Sequence, residues 1–185
     1  MVDILDFIHV YEEVLEPNVC QFLINTFEEN SDKHERYDNE GKPNFTQFNL
    51  TEHHQINEET TSVHNHLIRK TIEYRDIYYQ FIDGRVFPQE HAFEQFRIKK
   101  YNADGVDQFD THVDVVNYET SRRYLSFTWY LNEVNQGGNT VFKDLLVQPK
   151  LGSLLVFPPL WMFPHRGECP ISNPKYILTT YLHYK

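Results

Sequence analysis

Apolar positions recur at two different periods along this chain, and the change of period divides it. From Pro17 to Asn30 they fall at Val19, Phe22, Leu23 and Phe27, the stripe of a helix with Pro17 in its first turn. From Asn57 to about Tyr79 a second stripe runs through Val63, Leu67, Ile68, Ile72 and Ile77. Between the two helices, Ser31 to Thr51 is polar and aperiodic, with a Gly41-Lys42-Pro43 break, and reads as a loop. From Phe93 onward the runs are short and rich in β-branched and aromatic residues: Phe93–Tyr101, His112–Asn117, Tyr124–Leu131, Asn139–Phe142, Leu145–Gln148, Ser153–Phe157, Pro164–Gly167 and Tyr176–Tyr184. These predict about eight strands, the number a jelly roll uses.

Length and composition narrow the class. The 185 residues suit one domain, 1–185, with a helical part over 1–92 and a β core over 93–185; the Asp83-Gly84-Arg85 break reads as a connection inside it. Asp and Glu exceed Lys and Arg by 27 to 17, and a net charge of −10 opposes binding to phosphate backbones or anionic membranes. Cys20 and Cys169 lie far apart without CxxC spacing, so two buried free thiols are expected rather than a disulfide or zinc site. The N-terminal segment lacks a basic start and a long apolar run, which fits a cytoplasmic protein.

The chemistry concentrates in the second half. In a strand, residues two apart face the same way, so His112 and Asp114 of the string HVD can present an imidazole and a carboxylate to one cavity. His165, from a later strand, supplies a third donor, completing the two-histidine, one-carboxylate set that holds non-haem Fe(II) with open positions. HxD alone is weak: with 10 His in the chain, about 0.6 such matches arise by chance. Lys175 has two readings. It either begins an edge strand in water, or its ammonium is buried beside the site, where the economical partner is an acidic co-substrate.

The order of motifs from Tyr101 to Leu182 resembles the 2-oxoglutarate and Fe(II)-dependent dioxygenases, and among them the prolyl 4-hydroxylase group. The resemblance rests on Tyr101 before HVD, RRYLSFTWYLN at Arg122–Asn132, GGNTVF at Gly137–Phe142, QPKLGSLLVFP at Gln148–Pro158, His165, and KYILTTYL from Lys175. It implies a mainly β fold with α: a double-stranded β-helix (jelly-roll) core with N-terminal helices packed on the sheet. It also implies Fe(II) on His112, Asp114 and His165, with 2-oxoglutarate and O2 as co-substrates and ascorbate as an auxiliary reductant. Lys175 would pair with the distal carboxylate of 2-oxoglutarate, and Tyr101, Thr140 and Tyr130 would border it. Arg123 and Tyr181 would face a peptide or protein substrate, most simply a prolyl residue; Trp161, in the Pro-rich PPLWMFPH stretch just before His165, reads separately as lining the entrance. Strand parity sets Arg123 and Tyr130 on opposite faces unless a bulge intervenes.

Two departures leave the substrate open. Tyr181 stands where many members carry tryptophan, and no Arg follows Lys175 in the spacing of the nucleic-acid demethylases. The alternatives are the same oxygenase chemistry on another amino acid, a small molecule or a nucleobase, and a jelly-roll metal-binding module without turnover. His53, His54, His64, His66, His91 and His183 read as ordinary. Asp104, Asp107 and Asp110 read as a solvated turn, and Gly137-Gly138 as a turn between strands.

Overall fold

A computed structural model describes residues 3–39, 43–81 and 84–185. Gly41, Lys42 and Asp83 lie outside the described residues. The helices are α1 (Pro17–Glu29), α2 (Leu50–His53) and α3 (Glu58–Phe81). The strands are β1 (His9–Tyr11), β2 (Glu35–Asp38), β3 (Asn44–Asn49), β4 (His91–Phe93), β5 (Arg97–Tyr101), β6 (Phe109–His112), β7 (Arg123–Tyr130), β8 (Thr140–Phe142), β9 (Leu145–Val147), β10 (Leu154–Phe157), β11 (His165–Gly167) and β12 (Lys175–Tyr184). They form two sheets. The larger runs β1-β10-β7-β12-β5-β3-β2, with β4 also on β12; the smaller runs β6-β11-β8-β9. The result is a jelly roll with helices on the outer face of the larger sheet.

Two separate cores follow from the two faces of that sheet. Leu125, Phe127 and Trp129 of β7, Ile98 of β5 and Leu178 and Leu182 of β12 point outward and pack with Leu23, Phe27, Leu67 and Tyr78 of the helices. Tyr101, Tyr130, Leu155 and Ile177 point inward and pack with Phe142, Val147 and Phe163. Strands with both faces covered are buried along most of their length, as β7 and β12 are. Among the described residues no helix is long and apolar enough to cross a membrane.

The structure departs from the sequence expectations in four places. The segment read as a loop, Ser31–Thr51, carries β2 and β3, so residues 1–92 supply strands as well as helices. Its alternation is disguised because the cavity-facing side of β3 holds Gln47 and Asn49 where a core strand would hold aliphatic residues. Among the described residues four strands precede β5, so about eight expected strands become twelve, and Phe93–Tyr101 is broken into the end of β4 and β5. Asp107 is not solvated: it is fully buried and accepts from both Arg36 nitrogens at 3.1 and 2.6 Å and from the Asn102 backbone and side-chain amides at 2.8 and 2.9 Å. It ties the β2-β3 hairpin to the β5-β6 connection. Cys20 is buried and Cys169 only half-buried, both free.

Candidate metal centre

His112 is the last residue of β6, and Asp114 lies on the bend after it rather than on a continuing strand. The convergence of the two side chains therefore comes from the chain's turn as much as from strand alternation. β11 pairs with β6 so that His165 stands directly opposite His112. One donor atom from each of His112, Asp114 and His165 lies within 4.8 Å of the others. The Nε2 atoms of His112 and His165 are 3.5 and 3.8 Å from the two Asp114 carboxylate oxygens.

Each imidazole is oriented from behind. Nδ1 of His112 is 2.7 Å from the Asp110 carbonyl and Nδ1 of His165 is 3.1 Å from the Phe163 carbonyl, so each donates there and leaves Nε2 as a lone-pair donor. The His112 ring also stacks on Phe109 at 3.5 Å. Burial pushes the Asp114 carboxyl up, but the His112 hydrogen bond and the nearby His165, His112 and Lys99 charges outweigh it and hold it at about 2. Burial pushes His165 down. An ionised carboxylate, and a His165 whose charged form burial disfavours, suit metal binding.

A narrow inner cavity runs from these ligands to Lys175, and a wider groove opens on their other side. Lys175 is buried, donates to the Gly138 carbonyl at 2.9 Å, and lies 4.6 Å from the Tyr101 ring centroid. Of its two readings, the buried one holds. Gly137 and Gly138 turn with φ of 70°, and a Cβ on Gly137 would sit 2.4 Å from the Cys169 carbonyl, so this turn that presents the Gly138 oxygen requires glycine. Tyr101 and Thr140 line the inner cavity; Tyr130 is buried behind it and donates to Thr140 at 2.7 Å.

Arg123 and Tyr130 share a face after all, through a bulge. Leu182 pairs with Leu125 but His183 with Arg123, so Tyr124 is the extra residue. Tyr124 and Leu125 both join the helix-side core, and Arg123 swings to the groove. There it donates to Glu94 at 2.9 and 2.7 Å and to the Asp114 carbonyl at 2.8 Å, and covers the Tyr181 ring at 4.1 Å. It thus braces the bend that carries a metal ligand. Tyr181 lines both cavity and groove, and its phenol is raised well above its ordinary value by burial and by Asp114. Trp161 stands apart: it is 76% exposed and lines neither space. Its apolar, proline-rich neighbourhood suggested an entrance, but the turn before β11 carries it outward.

Sequence reasoning passed over Lys99, Glu94 and Thr128, and placed Thr179 on the face of Lys175 and Tyr181 without giving it a role. Lys99, Thr128 and Thr179 line the inner cavity; Lys99, Thr179 and Glu94 line the groove. The signal was available, since Lys99 is two residues from Tyr101, Thr128 two from Tyr130 and Thr179 two from Tyr181.

Residues 96–183 match the family model described as the 2OG-Fe(II) oxygenase superfamily. Over these residues, just under half of its length, the chain is similar to that superfamily. A curated relative, the probable prolyl 4-hydroxylase 9 of Arabidopsis thaliana, is 27% identical over 128 residues, 52% of this chain. The match spans 43% of that relative's length. The fold is that of a viral collagen prolyl hydroxylase from Paramecium Bursaria Chlorella virus-1, solved with 2OG (TM-score 0.74, 18% identity, 97% of both chains). It is also that of a prolyl hydroxylase from Trichoplax adhaerens in complex with a hypoxia inducible factor peptide fragment (0.73, 15%, 96% of this chain and 84% of the other). A Pseudomonas putida prolyl-4-hydroxylase gives 0.71 at 16%, over 96% and 93%.

The residues present at this site fit Fe(II) and 2-oxoglutarate. The donor set suits Fe(II) with positions left open, and the inner cavity ends in an ammonium that, among the described residues, has a carbonyl but no carboxylate within ion-pair distance. An acid reaching from the metal to Lys175 would supply the missing anion.

Proposed function

We propose that the protein is a 2-oxoglutarate- and Fe(II)-dependent hydroxylase acting on a prolyl residue of a peptide or protein. The observation that carries this reading is the alignment of three metal donors at one end of a cavity whose closed end holds the unpaired Lys175. Bound iron, with 2-oxoglutarate and O2, supplies the oxidation: one oxygen atom enters the substrate as hydroxyl and the other leaves in succinate, with release of CO2. The protein's residues bind and orient. Lys175 neutralises the far carboxylate of the co-substrate. The Tyr101 ring walls the same end, and the Thr140 hydroxyl, polarised by Tyr130, faces it. Asp110 and Phe163 carbonyls keep both imidazoles in the metal-binding tautomer, and Arg123 steadies Asp114. Phe109, Leu155 and Phe157 line the cavity with hydrocarbon and exclude water from the reacting centre. Ascorbate would serve as an external reductant for the iron.

The groove supports an extended substrate. It is bordered by β2, β3 and β5 on one side and by the segment from Phe109 to Arg123 on the other, with His112 and Asp114 at its floor. A panel of proline-containing peptides incubated with Fe(II), 2-oxoglutarate and ascorbate tests the reading by a mass gain of about 16 Da, the oxygen atom of this cofactor chemistry. Succinate release that no proline peptide stimulates would reject proline as acceptor. The Tyr181 hydroxyl facing Asp114 favours, as second reading, the same oxygenation of a more polar acceptor.

A further inference from the structure

Two cations stand beside the metal-donor set without, among the described residues, a carboxylate in ion-pair contact. Along β5, Ile98 packs into the helix-side core while Lys99 and Tyr101 face the cavity, so Arg97 and Lys99 share the inner face with Cα atoms about 6.8 Å apart. Lys99 lines both the inner cavity and the groove; Arg97 lines the groove. Among the described residues the Lys99 ammonium makes no hydrogen bond, and it lies 5.0 Å from the Phe45 ring centroid. Burial lowers it to about 8, and Asp114 is the first charge that pulls it back up. Arg97 donates to the Gln95 side-chain oxygen at 2.5 Å. Among the described residues, neither Arg97 nor Lys99 has a carboxylate within 4.0 Å.

Of the groove's acids, Asp114 belongs to the metal-donor set and the other three are hydrogen-bonded to other groups than Arg97 and Lys99. Glu94 is held by Arg123, Glu52 accepts from Asn49 at 3.1 Å, and Glu35 accepts from Gln47 at 3.0 Å. A protein with a net charge of −10 thus keeps two cations in this groove that, among the described residues, have no carboxylate in ion-pair contact. Lys175 cannot be their equivalent, since it lies at the far end of the inner cavity from the groove. A half-buried ammonium without an anion is unfavourable, and a ligand that brings one gains what the protein leaves unmatched.

We propose that Arg97 and Lys99 form a carboxylate-binding subsite of the substrate groove, so that the preferred substrate carries a negative charge close to the carbon it offers for oxidation. This rests on the hydroxylase reading above. The carboxylate has two sources, an Asp or Glu side chain flanking the acceptor in a peptide, or the free α-carboxylate of a terminal acceptor residue or amino acid.

The test is a matched series on the intact protein with Fe(II) and 2-oxoglutarate under anaerobic conditions, binding being followed by calorimetry and KM then measured in air. One arm flanks a proline with Asp, Asn or Lys; the other ends in proline as free acid or amide. Charged members of at least one arm should bind about tenfold or more tighter than neutral ones, with the gap closing toward about 0.5 M salt. Arg97→Gln and Lys99→Met should erase the gap, and Arg97→Glu should favour the Lys peptide. Whichever arm discriminates identifies the source. Equal wild-type binding of acid and neutral partners overturns the subsite without recourse to any variant. So does a Lys99→Met protein whose KM for 2-oxoglutarate rises while its peptide discrimination stays. If 2-oxoglutarate is consumed but no peptide binds, proline is rejected. Amino acids against their amides then decide the subsite alone, and equal binding there overturns it.

Discussion

Replacing Lys175 by methionine should move stability and co-substrate binding in opposite directions. The side chain is 2% exposed, and its ammonium has one carbonyl partner and an aromatic ring but no acid. Burial takes its pKa from 10.5 down to about 8, against the weaker upward pull of Glu168 and Cys169. That depression corresponds to about 3 kcal/mol by which the charge destabilises the ligand-free fold at pH 7. Methionine keeps most of the stem and removes the charge, while leaving the Gly138 carbonyl without its donor, a loss of about 1–2 kcal/mol. The net gain of about 1–2 kcal/mol should raise Tm by roughly 2–8 °C for a chain of this size. The folded pKa lies below the unfolded one, so the wild-type penalty is complete below pH 8, fades between 8 and 10.5, and is absent above; the variant's advantage should fade over the same window. Loss of the buried charge pair should weaken 2-oxoglutarate binding by about 2–5 kcal/mol, roughly thirty-fold or more. Denaturation of the metal-free protein at pH 7 and 10, with calorimetry of 2-oxoglutarate binding, reads both effects. A variant destabilised by several kcal/mol that binds 2-oxoglutarate as wild type does would refute the reasoning and make Lys175 a structural residue.

Other substitutions probe the supports of the centre. Glu94→Gln leaves the Arg123 guanidinium half-paired beside the Asp114 carbonyl, and Fe(II) affinity measured by competition should fall about 10- to 100-fold, the range for groups that orient ligands. Asp107→Asn removes the charge that four donors converge on, and should cost about 2–4 kcal/mol in denaturant unfolding while sparing metal affinity at saturating fold. In the metal-free protein Asp114 is depressed to about 2 from 3.8, so its contribution of about 2 kcal/mol is present above pH 3.8 and lost as pH falls through 2. Asp114→Asn should flatten that part of an acid-unfolding curve.

How much of this was legible depended on what each residue faces. α1 and α3 were readable because one stripe of each is apolar and meets the sheet. β3 was not, because its inward side chains line an aqueous groove and its pairing with β5 leaves no mark in hydrophobic periodicity. His112, Asp114, His165 and Lys175 could be found from type and order, and they do converge. Lys99 was within reach only through its alternation with Tyr101, since by type a lysine in the string RIKKY reads as surface until the strand's inner face is known. The face of Arg123 depended on Tyr124, an inserted residue whose effect on parity appears only in the pairing with β12. Trp161 was misplaced because a turn's direction is set by its surroundings rather than by its own composition.

The central claim is that His112, Asp114 and His165 hold Fe(II) beside a 2-oxoglutarate cavity closed by Lys175. Anaerobic titration with Fe(II) and 2-oxoglutarate, monitored through the metal-to-ligand charge-transfer band, tests it most directly. Wild type should develop the band, Lys175→Ala should require far more 2-oxoglutarate, and His165→Ala should not form it. A normal band in His165→Ala would contradict the account.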